Sequence, residues 1–99
     1  MNIQEIRKYK KQIDQIAAKY GIKKVYIFGS VARAEDDQIS DIDFLIEMED
    51  DASALGVGGF QYEVQQLLGV EVDVVPTFAL SKERDVEFVR SIETEAVAL

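Results

Sequence analysis

Two aspartates two residues apart, Asp41 and Asp43, follow a Gly-Ser pair, Gly29-Ser30, within residues 25–47, VYIFGSVARAEDDQISDIDFLIE. Residues of these types at this spacing suit phosphate and metal chemistry. Alternate side chains of a β-strand share a face, so Asp41, Asp43, Leu45 and Glu47 fall on one side and Ile42, Phe44, Ile46 and Met48 on the other. The two carboxylates then stand roughly 7 Å apart at Cα. Their repulsion is on the order of 2 kcal/mol at an effective dielectric of about 20. A bridging cation removes that cost. Mg²⁺ is hard and oxygen-preferring, and is usually held by one or two carboxylates together with substrate phosphates. Gly29 has no Cβ, which lets the chain turn sharply or approach a ligand closely. Ser30 adds a hydroxyl at the start of a short helix through Val31, Ala32 and Arg33, where free backbone N–H groups and a partial positive charge seat a phosphate. The plainer alternative is that Asp41 and Asp43 only cap a turn before a buried strand.

These residues need strands and helices to position them. Val25, Tyr26, Ile27 and Phe28 are β-branched or aromatic and predict a buried strand that ends at Gly29. A second strand opens at Asp41 or Ile42. Residues 70–75, VEVDVV, predict a third, with Glu71, Asp73 and Val75 on one face and Val70, Val72 and Val74 on the other. Pro76 is expected to stop it. Ile6, Tyr9, Ile13, Ile16 and Tyr20 recur at steps of three and four and predict an amphipathic helix over 3–20 that ends at Gly21. A second helix is expected over 53–68, stopped by Gly69, with Phe60, Val64, Leu67 and Leu68 inward. Gly56, Gly58 and Gly59 weaken its start, through mobility or through close approach to the active site. A turn over 77–82, with Ser81 as a cap, leads to a last helix over 82–96 with Phe88, Val89, Ile92 and Ala96 inward. The acidic stretches 35–37 and 49–51 read as solvated loops.

Composition narrows the function classes. Ninety-nine residues make one domain, 1–99. There is no cysteine, hence no disulfide and no thiolate site. There is no histidine either, so acid–base and metal chemistry must rest mainly on carboxylates. No apolar run reaches the roughly 20 residues of a membrane helix, and a cytoplasmic location is expected. The net charge of −8 is divided unevenly. Residues 1–24 hold seven Lys/Arg against two Asp/Glu, whereas 25–99 hold four against seventeen. So acidic a chain is a poor nucleic-acid binder, and none is expected. The basic N-terminal stretch is a solvated helix face or a dock for a partner's acidic patch.

Gly29-Ser30, Ala32-Arg33 and Ser40-Asp41-Ile42-Asp43, with Val70-Glu71-Val72-Asp73-Val74-Val75 downstream, resemble the minimal nucleotidyltransferase (MNT) family of the DNA polymerase β superfamily. The likeness covers most of the chain, including the tail from Leu80 to Leu99. It implies an α/β (α+β) nucleotidyltransferase fold, a small mixed sheet of three to four strands flanked by helices. It also implies that Asp41, Asp43 and Asp73 hold two Mg²⁺ ions and that Asp73 accepts the proton of the attacking hydroxyl. Gly29 and Ser30 would bind the β- and γ-phosphates of ATP, and Arg33 the triphosphate, unless Arg33 is spent on an ion pair with Glu35. One departure is Ala34, where many family members carry glycine. If that position needs positive φ, alanine costs about 1 kcal/mol.

Members of that family act as antitoxins. They transfer AMP from ATP to a tyrosine hydroxyl of a partner HEPN-domain RNase toxin, with which a hetero-oligomer is expected. Two other functions fit the residues: an acidic antitoxin that neutralises its toxin by contact alone, and a small-molecule nucleotidyltransferase with a separate acceptor-binding subunit.

Overall fold

A computed structural model describes residues 2–29, 42–80 and 86–99, apart from the side chain of Phe88. The expectations for Ser30, Arg33, Ala34, the loop 35–37, Asp41 and the Ser81 cap lie outside the described residues.

The N-terminal periodicity forms two helices rather than one, α1 (Ile3–Arg7) and α2 (Lys10–Lys19). Neither proline nor glycine makes the break. The backbone tightens there instead, as Lys8 and Tyr9 donate to the carbonyls of Glu5 and Ile6, three residues back, at 3.2 and 2.9 Å. The inward stripe survives, with Ile6, Ile13 and Ala17 buried and Tyr9, Ile16 and Tyr20 packed beside them. The Asn2 side chain caps α1 by accepting from the Glu5 N–H at 2.9 Å. Gly21, at φ +72°, follows the end of α2 in the left-handed region that glycine tolerates.

The strands follow as β1 (Ile22–Phe28), β2 (Ile42–Met48) and β3 (Val72–Pro76), with helix α3 (Gly56–Leu68) between the last two. Then come α4 (Thr77–Leu80), α5 (Val86–Glu95) and β4 (Val97–Ala98). The sheet order is β3-β2-β1-β4, with β2–β3 parallel and the other pairs antiparallel. This is the small mixed sheet expected of the fold.

Four details differ from expectation. Pro76 is part of β3 instead of stopping it, opposite Ile46. A proline is tolerated there because β3 is an edge strand. Residues 77–80 form a helical turn. The third helix starts at Gly56, not residue 53. Residues 97–98 form an edge strand that no local pattern announced.

Alternation along β2 divides the molecule into two layers. Ile42, Phe44 and Ile46 enter the main core with Phe60, Val64 and Leu68 of α3 and the stripe of α1 and α2. Phe44 and Phe60 meet edge-to-face, with centroids 5.9 Å apart and planes at 87°. Such a pair adds about 0.5–1.5 kcal/mol beyond area burial. On the other face Phe28 and Leu45 pack against Ile92 of α5, with Tyr26, Val75, Leu80 and Ala96 around them.

Two of the three glycines of α3, Gly56 and Gly59, serve close approach, but to Tyr20 rather than to the carboxylates, whereas Gly58 faces open space. A Cβ on Gly56 would lie 2.7 Å from the Tyr20 carbonyl oxygen, and one on Gly59 would overlap the Tyr20 ring. The Tyr20 hydroxyl donates to Glu63 of α3, and Lys19 Nζ lies 2.9 Å from the same carboxylate oxygen. The hydrogen bond from Tyr20, followed by that from Lys19, lowers the Glu63 pKa. The Glu63 carboxylate in turn raises the pKa values of Tyr20 and Lys19.

Candidate active site

Sheet topology gathers the predicted chemistry at one end. Antiparallel pairing brings the end of β1 to the start of β2, and parallel pairing brings the start of β3 beside it. Phe28 is opposed to Asp43, and Asp43 to Asp73, across three neighbouring strands. Neighbouring strands lie about 4.8 Å apart, so the two carboxylates leave the sheet side by side on one face. This is the face of Leu45 and Val75, so a hydrophobic row beneath the acids separates them from the rest of the sheet. Asp43 is half-buried and Asp73 exposed.

Gly29 supplies the third part. Its φ of +76° turns the chain immediately after β1. A Cβ there would overlap the Oδ2 of Asp43. The backbone of the turn therefore lies directly against the carboxylate, which explains why a residue without a side chain stands at this point.

Two glutamines hold the edge strand, and sequence reasoning did not single them out. Gln61 Nε2 donates to the Val72 carbonyl at 2.9 Å, and Gln65 Oε1 accepts from the Val72 N–H at 3.1 Å. They sit one turn apart on α3 and together satisfy both backbone groups of the residue before Asp73. Ile42 N–H donates to the Glu71 carbonyl at 3.3 Å, so the starts of β2 and β3 are tied together as well. The only sequence signal was an amide pair at i, i+4, which does not name its partner.

Asp43, Asp73 and Gly29 are thus brought together, while Asp41, Ser30 and Arg33 belong to the segment outside the described residues. Among the described residues no group of three His, Cys, Asp or Glu side chains could hold a metal ion. The two carboxylates that are described offer oxygen donors only. Such donors fit Mg²⁺ and are unsuited to metals that favour thiolate or imidazole. No helix among the described residues is long and apolar enough to cross a membrane.

Comparison with known proteins bears on the family and the fold. The family described as nucleotidyltransferase domain matches residues 6–99. The candidate protein adenylyltransferase MJ0435 of Methanocaldococcus jannaschii is 45% identical over 75 residues, 76% of this chain and 77% of that protein. The solved structure of a candidate minimal nucleotidyltransferase superposes with a TM-score of 0.79 at 28% identity, covering 100% of this chain and 97% of that one. Two toxin–antitoxin complexes share the fold alone. One, with AMP-PNP, gives a TM-score of 0.68 at 18% identity over 90% of this chain and 70% of that one. The other pairs a tri-AMPylated Shewanella oneidensis HEPN toxin with its MNT antitoxin, at a TM-score of 0.62 and 15% identity over 93% of this chain and 69% of that one.

Proposed function

The chain belongs to the nucleotidyltransferase domain family, and we propose that it transfers AMP from ATP to a tyrosine hydroxyl of a partner HEPN RNase toxin, acting as the antitoxin of that pair. The observation that carries this reading is the register of Asp43 against Asp73 beside the positive-φ turn at Gly29. The name of the Methanocaldococcus relative and the AMPylated toxin of the Shewanella complex support a protein acceptor. The AMP-PNP complex supports ATP as donor. The reaction takes place in the cytoplasm, on a toxin held in a hetero-oligomer with this single domain.

The roles proposed are those that the family resemblance implies. Asp43 and Asp73, with Asp41, would hold Mg²⁺, probed as a pair of ions. When bound, Mg²⁺ neutralises triphosphate charge and favours ionisation of the attacking hydroxyl. Gly29 lets the backbone approach the phosphates, and Ser30 and Arg33 add donors to them. Asp73, the exposed acid, takes the tyrosine proton. The tyrosine oxygen bonds to the α-phosphorus, the bond from that phosphorus to the β-phosphate oxygen breaks, and pyrophosphate leaves.

The test is the intact mass of a HEPN-domain protein partner, after incubation with this chain, ATP and Mg²⁺. A gain in whole AMP units, mapped to tyrosine, is expected. An unmodified toxin within a stable, inactive complex would instead establish neutralisation by contact.

A further inference from the structure

Helix α3 rests on the sheet by apolar contact and is tied to its neighbours by hydrogen bonds on both flanks. Phe60, Val64 and Leu68 recur every four residues and enter the main core. At about 100° per residue, Glu63 falls on one flank of that stripe, and Gln61 and Gln65 fall on the other. The Glu63 flank meets α2. There the carboxylate accepts from the Tyr20 hydroxyl and lies 2.9 Å from Lys19 Nζ. The opposite flank meets β3, where the two glutamines hold the carbonyl and the N–H of Val72 at 2.9 and 3.1 Å. Burial of an apolar stripe is non-directional, so it defines a roll about the helix axis less sharply than hydrogen bonds do. The first four residues of α3 include three glycines, which have little intrinsic preference for helix. That end of the helix therefore depends on what packs against it, and a Cβ on Gly56 or Gly59 would strike Tyr20.

We propose that Tyr20 and Glu63 are positioning residues for the carboxylate site. Their bond sets the roll of α3, the helix carries Gln61 and Gln65 onto Val72, and Val72 fixes the adjoining Asp73 on the edge strand. The two flanks lie on one helix within two residues of each other, so a roll released at Glu63 moves both amides off the Val72 backbone. A hydrogen bond misaligned in this way weakens steeply. The Lys19 ammonium, 5.3 Å from the centroid of the Tyr20 ring and beside the Glu63 carboxylate, holds the pair from the solvent side. The kinetic consequence rests on Asp73 belonging to an AMP-transfer site, as proposed. The structural consequence does not.

The test variant is Tyr20→Phe in the full chain, which keeps the ring beside Gly59 and loses only the hydroxyl. Amide exchange at Val72 should quicken about tenfold more than at Ile27, which lies in the buried middle of the sheet. Transfer to the HEPN partner should lose about fivefold in kcat with an unchanged KM for ATP, because Asp73 serves the attacking hydroxyl. Glu63→Gln keeps an oxygen for the Tyr20 hydroxyl and should stay within about twofold of wild type in both measurements. In a Gln61→Ala/Gln65→Ala background the link to Val72 is gone, and Tyr20→Phe should slow transfer no further. Equal acceleration at Val72 and Ile27 overturns the proposal, because loss of overall stability accounts for it. An unchanged kcat in Tyr20→Phe overturns it as well, as does a full further loss in the glutamine background. If the wild type transfers no AMP, the proposed function fails, and the exchange at Val72 against Ile27 still decides the positioning.

Discussion

A Cβ added to Gly29 would overlap the Oδ2 of Asp43, so the turn that ends β1 lies directly against a carboxylate of β2. The contact joins the two halves of the motif, the glycine turn proposed to seat phosphate and the carboxylate proposed to hold metal. It also makes the glycine a sensitive position.

Gly29→Ala should have two separable effects. Stability should fall by about 1 kcal/mol, because φ +76° disfavours a side chain. Transfer should fall by about 100-fold, because the new methyl pushes the Asp43 carboxylate aside. Urea unfolding measures the first and single-turnover AMP transfer the second. Wild-type transfer in the alanine variant would show that the close approach has no part in catalysis.

The glutamine clamp predicts an asymmetry between two chemically equal changes. Gln65→Glu keeps an oxygen to accept from the Val72 N–H and should leave stability within about 0.5 kcal/mol of wild type. Gln61→Glu replaces a donor with an acceptor facing the Val72 carbonyl. It should cost about 1–3 kcal/mol and slow transfer, through loosening of the strand that bears Asp73. Equal urea midpoints for the two variants would contradict the assignment.

The contact between Glu63, Tyr20 and Lys19 should make stability depend on pH at both extremes. The folded Glu63 pKa lies below its ordinary 4.5, so its contribution is complete above that value and is lost as pH falls through the lowered one. The Tyr20 pKa lies above its ordinary 10.0, so that contribution is complete below pH 10.0 and is lost as pH rises through the raised value. Thermal melts of wild type and Glu63→Gln across this range should differ most between the two limits and converge beyond them. A constant difference at all pH values would show that the contact is not linked to protons.

Much of this arrangement was legible in local pattern. Alternation along 42–48 placed Asp43 and Leu45 on the face opposite Phe44, and Gly21 and Gly69 marked helix ends because only glycine readily takes φ +72°. What escaped was set by tertiary partners. The register of Asp43 against Asp73 depends on how α3 returns the chain, and residues 43 and 73 alone do not give it. Val97–Ala98 becomes a strand only because Tyr26 and Ile27 are there to pair with. The break at Lys8–Tyr9 comes from a change in hydrogen-bond span that ordinary helix formers permit. Gln61 and Gln65 gain their role from the backbone of Val72, seven or more residues away.

The central claim is that Asp43 and Asp73 form one transfer site, and AMP transfer by Asp43→Asn and Asp73→Asn tests it most directly. Each change removes a charge and keeps the shape, so folding should be retained. With α-labelled ATP, Mg²⁺ and the HEPN partner, both variants should lose transfer by at least about 100-fold. The double variant should lose little more than either single one, because residues that act as a unit are not additive. Full transfer by either single variant, or losses that multiply in the double, would contradict a shared site.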